Sequence, residues 1–232
     1  MKRLALCFLG LLVLAAFTSV GGWAVVTVSK VPDAWIAGKP LQLSWQVRQH
    51  GLEQLYALQP TLEARSGSKR VRGMAWSFTE DGQRGYRGRI TFPEPGDWQV
   101  TIHSGFIQSK AVLVPWRVVD SVRPVRGTVE DHLKTIGVQP FNEVERGRRL
   151  FAAAGCVTCH VHRAVDIAGD LKNFGPDLTD RRFPPDYLAR YLADPSIKPA
   201  AAGKQMPNLG LRQKDIAPLV AFINSERRLT SR

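Results

Sequence analysis

The sequence predicts two domains of different class, an all-β sandwich followed by an all-α domain, and three observations carry that prediction. At 232 residues the chain is longer than one typical domain. Residues 23–118 alternate apolar and polar side chains between Gly/Pro turn signals, which is the period of half-buried strands. Residues 141–232 instead repeat apolar side chains at helical spacing. With 44% hydrophobic and 22% charged residues, the chain has the composition of an ordinary globular protein, and a disordered or fibrous class is excluded.

The N-terminus has the layout of an export signal: Lys2 and Arg3, then "LALCFLGLLVLAAF" (4–17), then Ser19, Gly21 and Gly22. No charge occurs between Arg3 and Lys30, so the apolar stretch 4–28 is also long enough for an uncleaved membrane anchor. Residues 1–22 are thus read as a signal peptide or an anchor, and either places the remainder in the periplasm or elsewhere outside the cytoplasm. Cleavage is favoured because "WAVVTVSKV" (23–31) alternates like a first strand, which shortens the purely apolar run. Cys7 has too little apolar sequence before it for a lipidation signal.

Through the β region, "LQLSWQVRQHG" (41–51) sets Leu41, Leu43, Trp45 and Val47 against polar neighbours. "GYRGRITFPEPGDWQVTIHSG" (85–105) alternates on both sides of a Pro-Gly turn, and "KAVLVPWRVV" (110–119) closes the region. Several short strands in about 100 residues predict an immunoglobulin-like sandwich, here without a disulfide. In "VPDAWIAGKPLQLSWQVRQHG" (31–51) and "GYRGRITFPEPGDW" (85–98) it resembles the YtkA-like β-sandwich family, which implies no firm activity. Lacking cysteine, this domain can hold neither a blue nor a dinuclear copper site. A copper set of His50, His103 and Met74 is the weaker remaining metal reading. Residues 119–140 read as a Pro/Gly-punctuated charged linker that leaves the domains semi-independent, with His132 facing solvent.

The motif that carries chemistry is "AAAGCVTCHVHRA" (152–164), where Cys156 and Cys159 are followed at once by His160. A disulfide there would close too small a loop to stabilise much. A catalytic dithiol needs a helix opening at the first cysteine, whereas here a helix ends before it. Asn142 and Glu145 form its capping signal, Val144, Gly147, Leu150, Phe151 and Ala154 its apolar face, and Gly155 its left-handed stop. Structural zinc wants four ligands, and no second cysteine pair exists; His160 and His162 are too close together to complete a tetrahedral site. Covalent haem attachment is the use that remains: both thiols add to vinyl groups and His160 supplies an axial nitrogen.

A second axial ligand must lie downstream. Met206 stands in "GKQMPNLG" (203–210), a loop 46 residues after His160 in which no amphipathic pattern claims it for a core. His/Met ligation is a standard arrangement for electron-transfer haems.

On these residues the C-terminal region resembles the class I, mono-haem cytochrome c domain. The match runs through "RGRRLFAAAGCVTCH" (146–160), "GPDLT" (175–179), "PPDYLARYLADP" (184–195), "MPNLG" (206–210) and "IAPLVAFINS" (216–225). The resemblance implies one covalent haem c, crossed first and last helices meeting at Gly147, Phe151 and Phe222, and a hydrogen bond from the His160 ring to the Pro176 carbonyl that would raise the ligand's basicity. Tyr187, Leu188, Tyr191 and Leu192 stripe a short helix opened by Pro185 and stopped before Pro195. Because Pro218 is costly inside a helix, the last helix is expected to begin near Asp215.

Iron ligated on both faces has no open site, so the predicted function is one-electron transfer in a respiratory chain rather than catalysis. Redox proteins, namely an oxidase, a reductase or another cytochrome, are the expected partners, with membrane association as a further expectation. The alternatives are a fixed haem subunit of a membrane complex and, less favoured, a haem enzyme or sensor with an open sixth site. The net charge of +12 is spread evenly: residues 23–140 and 141–232 each carry 15 Lys/Arg against 10 Asp/Glu. With no groove-reading motif beside it, that charge does not indicate nucleic acid. Arg163, Lys172, Lys198, Lys204, Arg212 and Lys214 are candidates for steering an acidic partner.

Overall fold

A computed structural model describes residues 22–120, 127–167, 174–198 and 205–225. Among these residues no helix is long and apolar enough to cross a membrane; positions 1–21 of the apolar N-terminal stretch lie outside them, and its last residues form the first strand.

The N-terminal half is built from ten strands: β1 (Ala24–Val28), β2 (Trp35–Ile36), β3 (Pro40–Gln49), β4 (Glu53–Gln54), β5 (Thr61–Ser66), β6 (Lys69–Glu80), β7 (Gln83–Thr91), β8 (Gly96–His103), β9 (Lys110–Val112) and β10 (Trp116–Val119). They run β1-β3-β7-β6-β5-β8-β10-β2 along one curled sheet, with β4 added to β3 and β9 to β8. The 12-residue β6 joins the two leaves, because its first half, Lys69–Gly73, pairs with β5 while Met74–Glu80 pairs with β7.

The alternating pattern buries one face of each leaf. Trp45, Tyr86, Leu62, Ile90, Phe92, Trp98 and Trp116 fill the space between them. The Phe92 ring centre lies 5.7 Å from that of Trp98 and 6.4 Å from that of Trp116, while Trp45 stacks on Tyr86 at 6.3 Å. The Tyr86 hydroxyl accepts from Leu58 N (3.0 Å) and donates to Leu55 O (3.0 Å), so its buried polar end is satisfied.

Four helices follow among the described residues: α1 (Val129–Thr135), α2 (Glu143–Ala153), α3 (Pro185–Ala193) and α4 (Gln213–Ile223). The segment expected to be linker contains α1, capped by Thr128, whose side chain accepts from Asp131 N at 3.1 Å. Leu133 packs with Ala34 and Ile36 of the sandwich, and His132 beside it is buried rather than solvent-facing. The reason is periodicity too short to register: a helix of seven residues presents only two positions inward.

Nor are the two halves semi-independent. Ala153 of α2 belongs to the sandwich core, and Val114 of the sandwich to the helical core. Arg146 pairs with Asp33 at 2.8 Å, and Arg149 donates to the Pro115 carbonyl at 2.7 Å. Burial of apolar side chains from both halves in common clusters makes separation costly.

Candidate functional site

Helix α2 delivers the cysteine segment. Its first turn is capped by the Asn142 side chain, which accepts from Glu145 N at 2.9 Å. Gly147 lets α4 approach closely, and Phe151 packs on Phe222 with ring centres 5.6 Å apart. The helix stops at Gly155, with φ of 84°. A side chain is excluded there twice over, by that backbone and because a Cβ would lie 2.4 Å from Val25 Cγ1 on β1. The chain then turns through one short 3-10 helix, Cys156–Thr158, in which the Cys156 carbonyl accepts from both Cys159 N (3.2 Å) and His160 N (2.9 Å). That tight turn sets Cys156, Cys159 and His160 into the wall of one cavity.

The cavity has a volume of about 310 Å³. Tyr187, Leu188, Tyr191 and Leu192 of α3 form one side, so the stripe expected on that helix faces it. Tyr187 and Tyr191 stack at 6.0 Å. Met206, Pro207 and Leu209 line it from the loop ahead of α4. α4 starts at Gln213, two residues earlier than expected, and carries Pro218 inside it. Pro218 leaves without a helical donor only a carbonyl in the exposed first turn, where water can serve.

His160 is fixed by its surroundings. Its Nδ1 lies 2.9 Å from the Pro176 carbonyl oxygen. A carbonyl can only accept, so Nδ1 carries the proton and Nε2 keeps a free lone pair. Burial lowers the affinity of the ring for a second proton, opposed in part by this hydrogen bond. Gly175 backs the ring: a Cβ there would fall 2.5 Å from Cε1 and 2.6 Å from Nδ1.

The two sulfurs are free thiols. Burial pushes Cys156 up to about 12, with Cys159 nearby adding to the rise, and pushes Cys159 up to about 11. Thiols so strongly protonated are poor nucleophiles for disulfide exchange. Among the described residues no cluster of three or more His, Cys, Asp or Glu side chains could hold a metal ion.

What these walls suit is a flat, apolar, iron-bearing group. Two thiols stand side by side, a bare imidazole nitrogen and a thioether line the same space, and aliphatic and aromatic side chains make up most of the rest. Residues 144–226 match the family model for cytochrome c. This region is a cytochrome c domain. Its cofactor is the covalently attached haem c of that family, and the protein is a haem c electron-transfer protein. No curated protein matches the chain.

Around the cytochrome c domain the charged residues expected to steer a partner divide. Arg163 pairs with Asp180 at 3.3 Å and Arg212 with Asp215, whereas Lys198 is exposed at the cavity and Lys172 and Lys204 lie outside the described residues. In the sandwich, His103 ends β8 within 4.0 Å of Glu63, Met74 is exposed on β6, and His50 sits in the β3–β4 turn against Trp23.

Three features of the site went unread in the sequence. Val25 of the sandwich lines the haem cavity; Trp23 packs on Phe174, another wall residue, at 5.7 Å; and His162 is buried against Phe222 at 4.3 Å. Only the strand pattern of residues 23–31 hinted at the first, and it says nothing about which element a strand end meets.

Proposed function

We propose that the protein is an exported mono-haem cytochrome that transfers single electrons in a respiratory chain. In this reading residues 1–22 are the export signal, residues 23–118 the YtkA-like sandwich, residues 119–140 the connection and residues 141–232 the haem domain. Cys156 and Cys159 hold the haem through thioethers, and His160 and Met206 ligate its iron. The observation that carries the proposal is the His160 ring with its proton committed to Pro176 and its other nitrogen bare, in the same cavity wall as both thiols and facing a space that Met206 also lines.

When bound, the haem supplies a reversible one-electron change at iron. This chain's residues do the rest. Pro176 and Gly175 fix the imidazole plane, which keeps the ligand from rearranging between oxidation states. The apolar walls of α3 and α4 exclude water and, with a thioether ligand, favour the reduced state. Exposed Lys198 offers an acidic redox partner a positive approach to the cavity.

Purified protein should retain one haem per chain after denaturation. Met206→Ala should lose the methionine-to-iron charge-transfer band of the oxidised form and bind carbon monoxide rapidly when reduced. Retention of an unchanged low-spin spectrum by that variant would remove Met206 from the iron.

A further inference from the structure

We infer that the β-sandwich positions the Met206 loop, through a contact between Gly51 in its β3–β4 turn and Pro207. The inference rests on Met206 being the axial ligand, and it gives the sandwich a part in the haem site itself.

Gly51 is buried and has φ of 75°. Its turn is tied by Gly51 N donating to Arg48 O at 3.1 Å and Leu52 N to Gln49 O at 2.9 Å. A Cβ on Gly51 would lie 2.5 Å from Cγ and 2.9 Å from Cβ of Pro207, and 3.6 Å from Cγ2 of Val25. The hollow over this glycine is therefore filled by the proline ring next to Met206 and by a side chain that lines the cavity. The other end of the loop meets the same turn. A Cβ on Gly210 would fall 3.5 Å from Nη2 of Arg48, whose guanidinium is held by the Gln46 side chain. Between these two points Leu209 is buried, and Gly210 N donates to the Asn208 side chain at 2.9 Å, which tightens the turn.

Met206 thus has an anchor on each side, and they belong to different halves of the protein. Gln205 before it donates to the Pro195 carbonyl at 2.7 Å within the haem domain, and Pro207 after it rests on the sandwich. Close-packed interiors transmit displacement rather than absorb it. A shift of Pro207 therefore carries to the sulfur one residue away.

Glycine 82, in the β6–β7 turn, is an internal control: its φ is 73°, yet a Cβ there meets nothing within 4 Å. Gly51→Ala and Gly82→Ala impose the same kind of backbone strain on the same sandwich, but only the first reaches the loop. The test compares the full-length haem protein with Gly51→Ala, Gly82→Ala, Pro207→Gly and Met206→Ala. It reads the methionine-to-iron charge-transfer absorbance of the oxidised form and the rate of carbon monoxide binding to the reduced form. The expected result is loss of the band and faster carbon monoxide binding in Gly51→Ala, approaching Met206→Ala, with Gly82→Ala unchanged. Pro207→Gly, which leaves the sandwich intact and removes the ring it supports, is expected to lose part of the band even if Gly51→Ala yields no folded protein. If Met206→Ala loses the band while Gly51→Ala and Pro207→Gly keep it, the positioning role fails and the ligand assignment stands. If Gly82→Ala loses it as fully as Gly51→Ala, general weakening of the sandwich is responsible and the positioning role is overturned. If Met206→Ala itself keeps the band, the ligand reading falls and this inference falls with it.

Discussion

The carbonyl oxygen of Pro218 occupies the space that a side chain on Gly147 would need: a Cβ on Gly147 would lie 1.9 Å from that oxygen and 2.6 Å from Phe222 Cβ. The crossing of α2 and α4 is set by this contact, and it holds Phe151 and Phe222 together behind the haem cavity. Gly147→Ala should gain about 1 kcal/mol in helix propensity. It should nevertheless destabilise the protein, because the helices must part: overpacking costs about 1–3 kcal/mol, which leaves a net loss of up to about 2 kcal/mol after the propensity gain. A lowered denaturation midpoint at unchanged slope checks this; a stabilised variant would show that the crossing adjusts freely.

Gly175 stands in the same relation to His160. Alanine at position 175 would push the imidazole from the Pro176 carbonyl, since its methyl would overlap Cε1 and Nδ1. With His160 as the proposed iron ligand, loss of such an orienting contact is of the kind that costs metal sites about 10- to 100-fold in affinity or activity. Gly175→Ala should therefore turn the low-spin spectrum partly high-spin while the haem stays attached on denaturation. An unchanged spectrum would mean that the hydrogen bond does not orient the ligand.

The strands of the sandwich were readable because each buries one face, so Leu41, Leu43, Trp45 and Val47 repeat at a period of two. Helices α2, α3 and α4 were readable for the same reason at a period of 3.6, and the two cysteines and His160 because their spacing is itself the chemistry. Contacts between distant elements leave no such mark. Nothing in the sequence around Val25 indicates that it meets Gly155, and nothing around Gly51 indicates Pro207, because neither pair shares a period or a motif. Helix α1 escaped notice because seven residues are too few to establish a stripe, and Pro218 misplaced the start of α4 because its missing N–H looked costlier than it is beside a solvated first turn.

Arg149, like Arg146 with Asp33, carries a polar contact between the two halves. Its guanidinium lies 4.1 Å over the Phe141 ring, donates to Glu145 at 2.8 Å and reaches the Pro115 carbonyl at 2.7 Å, with only a tenth of the side chain exposed. Lysine keeps the charge but not the planar fork that serves all three partners. Arg149→Lys should cost about 1.5–3 kcal/mol, the range for hydrogen bonds to charged groups. Calorimetry should also show the single transition broadening toward two, as the sandwich and the haem domain uncouple. A single sharp transition at the original temperature would place the coupling in the other contacts between the halves, the apolar clusters and the Arg146–Asp33 pair.

Glu145 receives Arg148 and Arg149 together, with contacts of 2.7 and 2.8 Å. Burial by itself pushes its carboxyl up, but the hydrogen bonds and charges of the two arginines outweigh that and hold it below the usual glutamate range. A folded-state pKa below the unfolded value means that the carboxylate contributes stability above the unfolded pKa, and that the contribution fades as pH falls through the folded one. Glu145→Gln should therefore destabilise the protein by about 1–2 kcal/mol near neutral pH. The gap should close in acid, below the ordinary glutamate pKa of about 4.3, as the native carboxylate also becomes protonated. Denaturation of both proteins at neutral pH and at about pH 3, straddling that pKa, measures the difference. A gap that persists unchanged in acid would show that the glutamate acts through shape rather than charge.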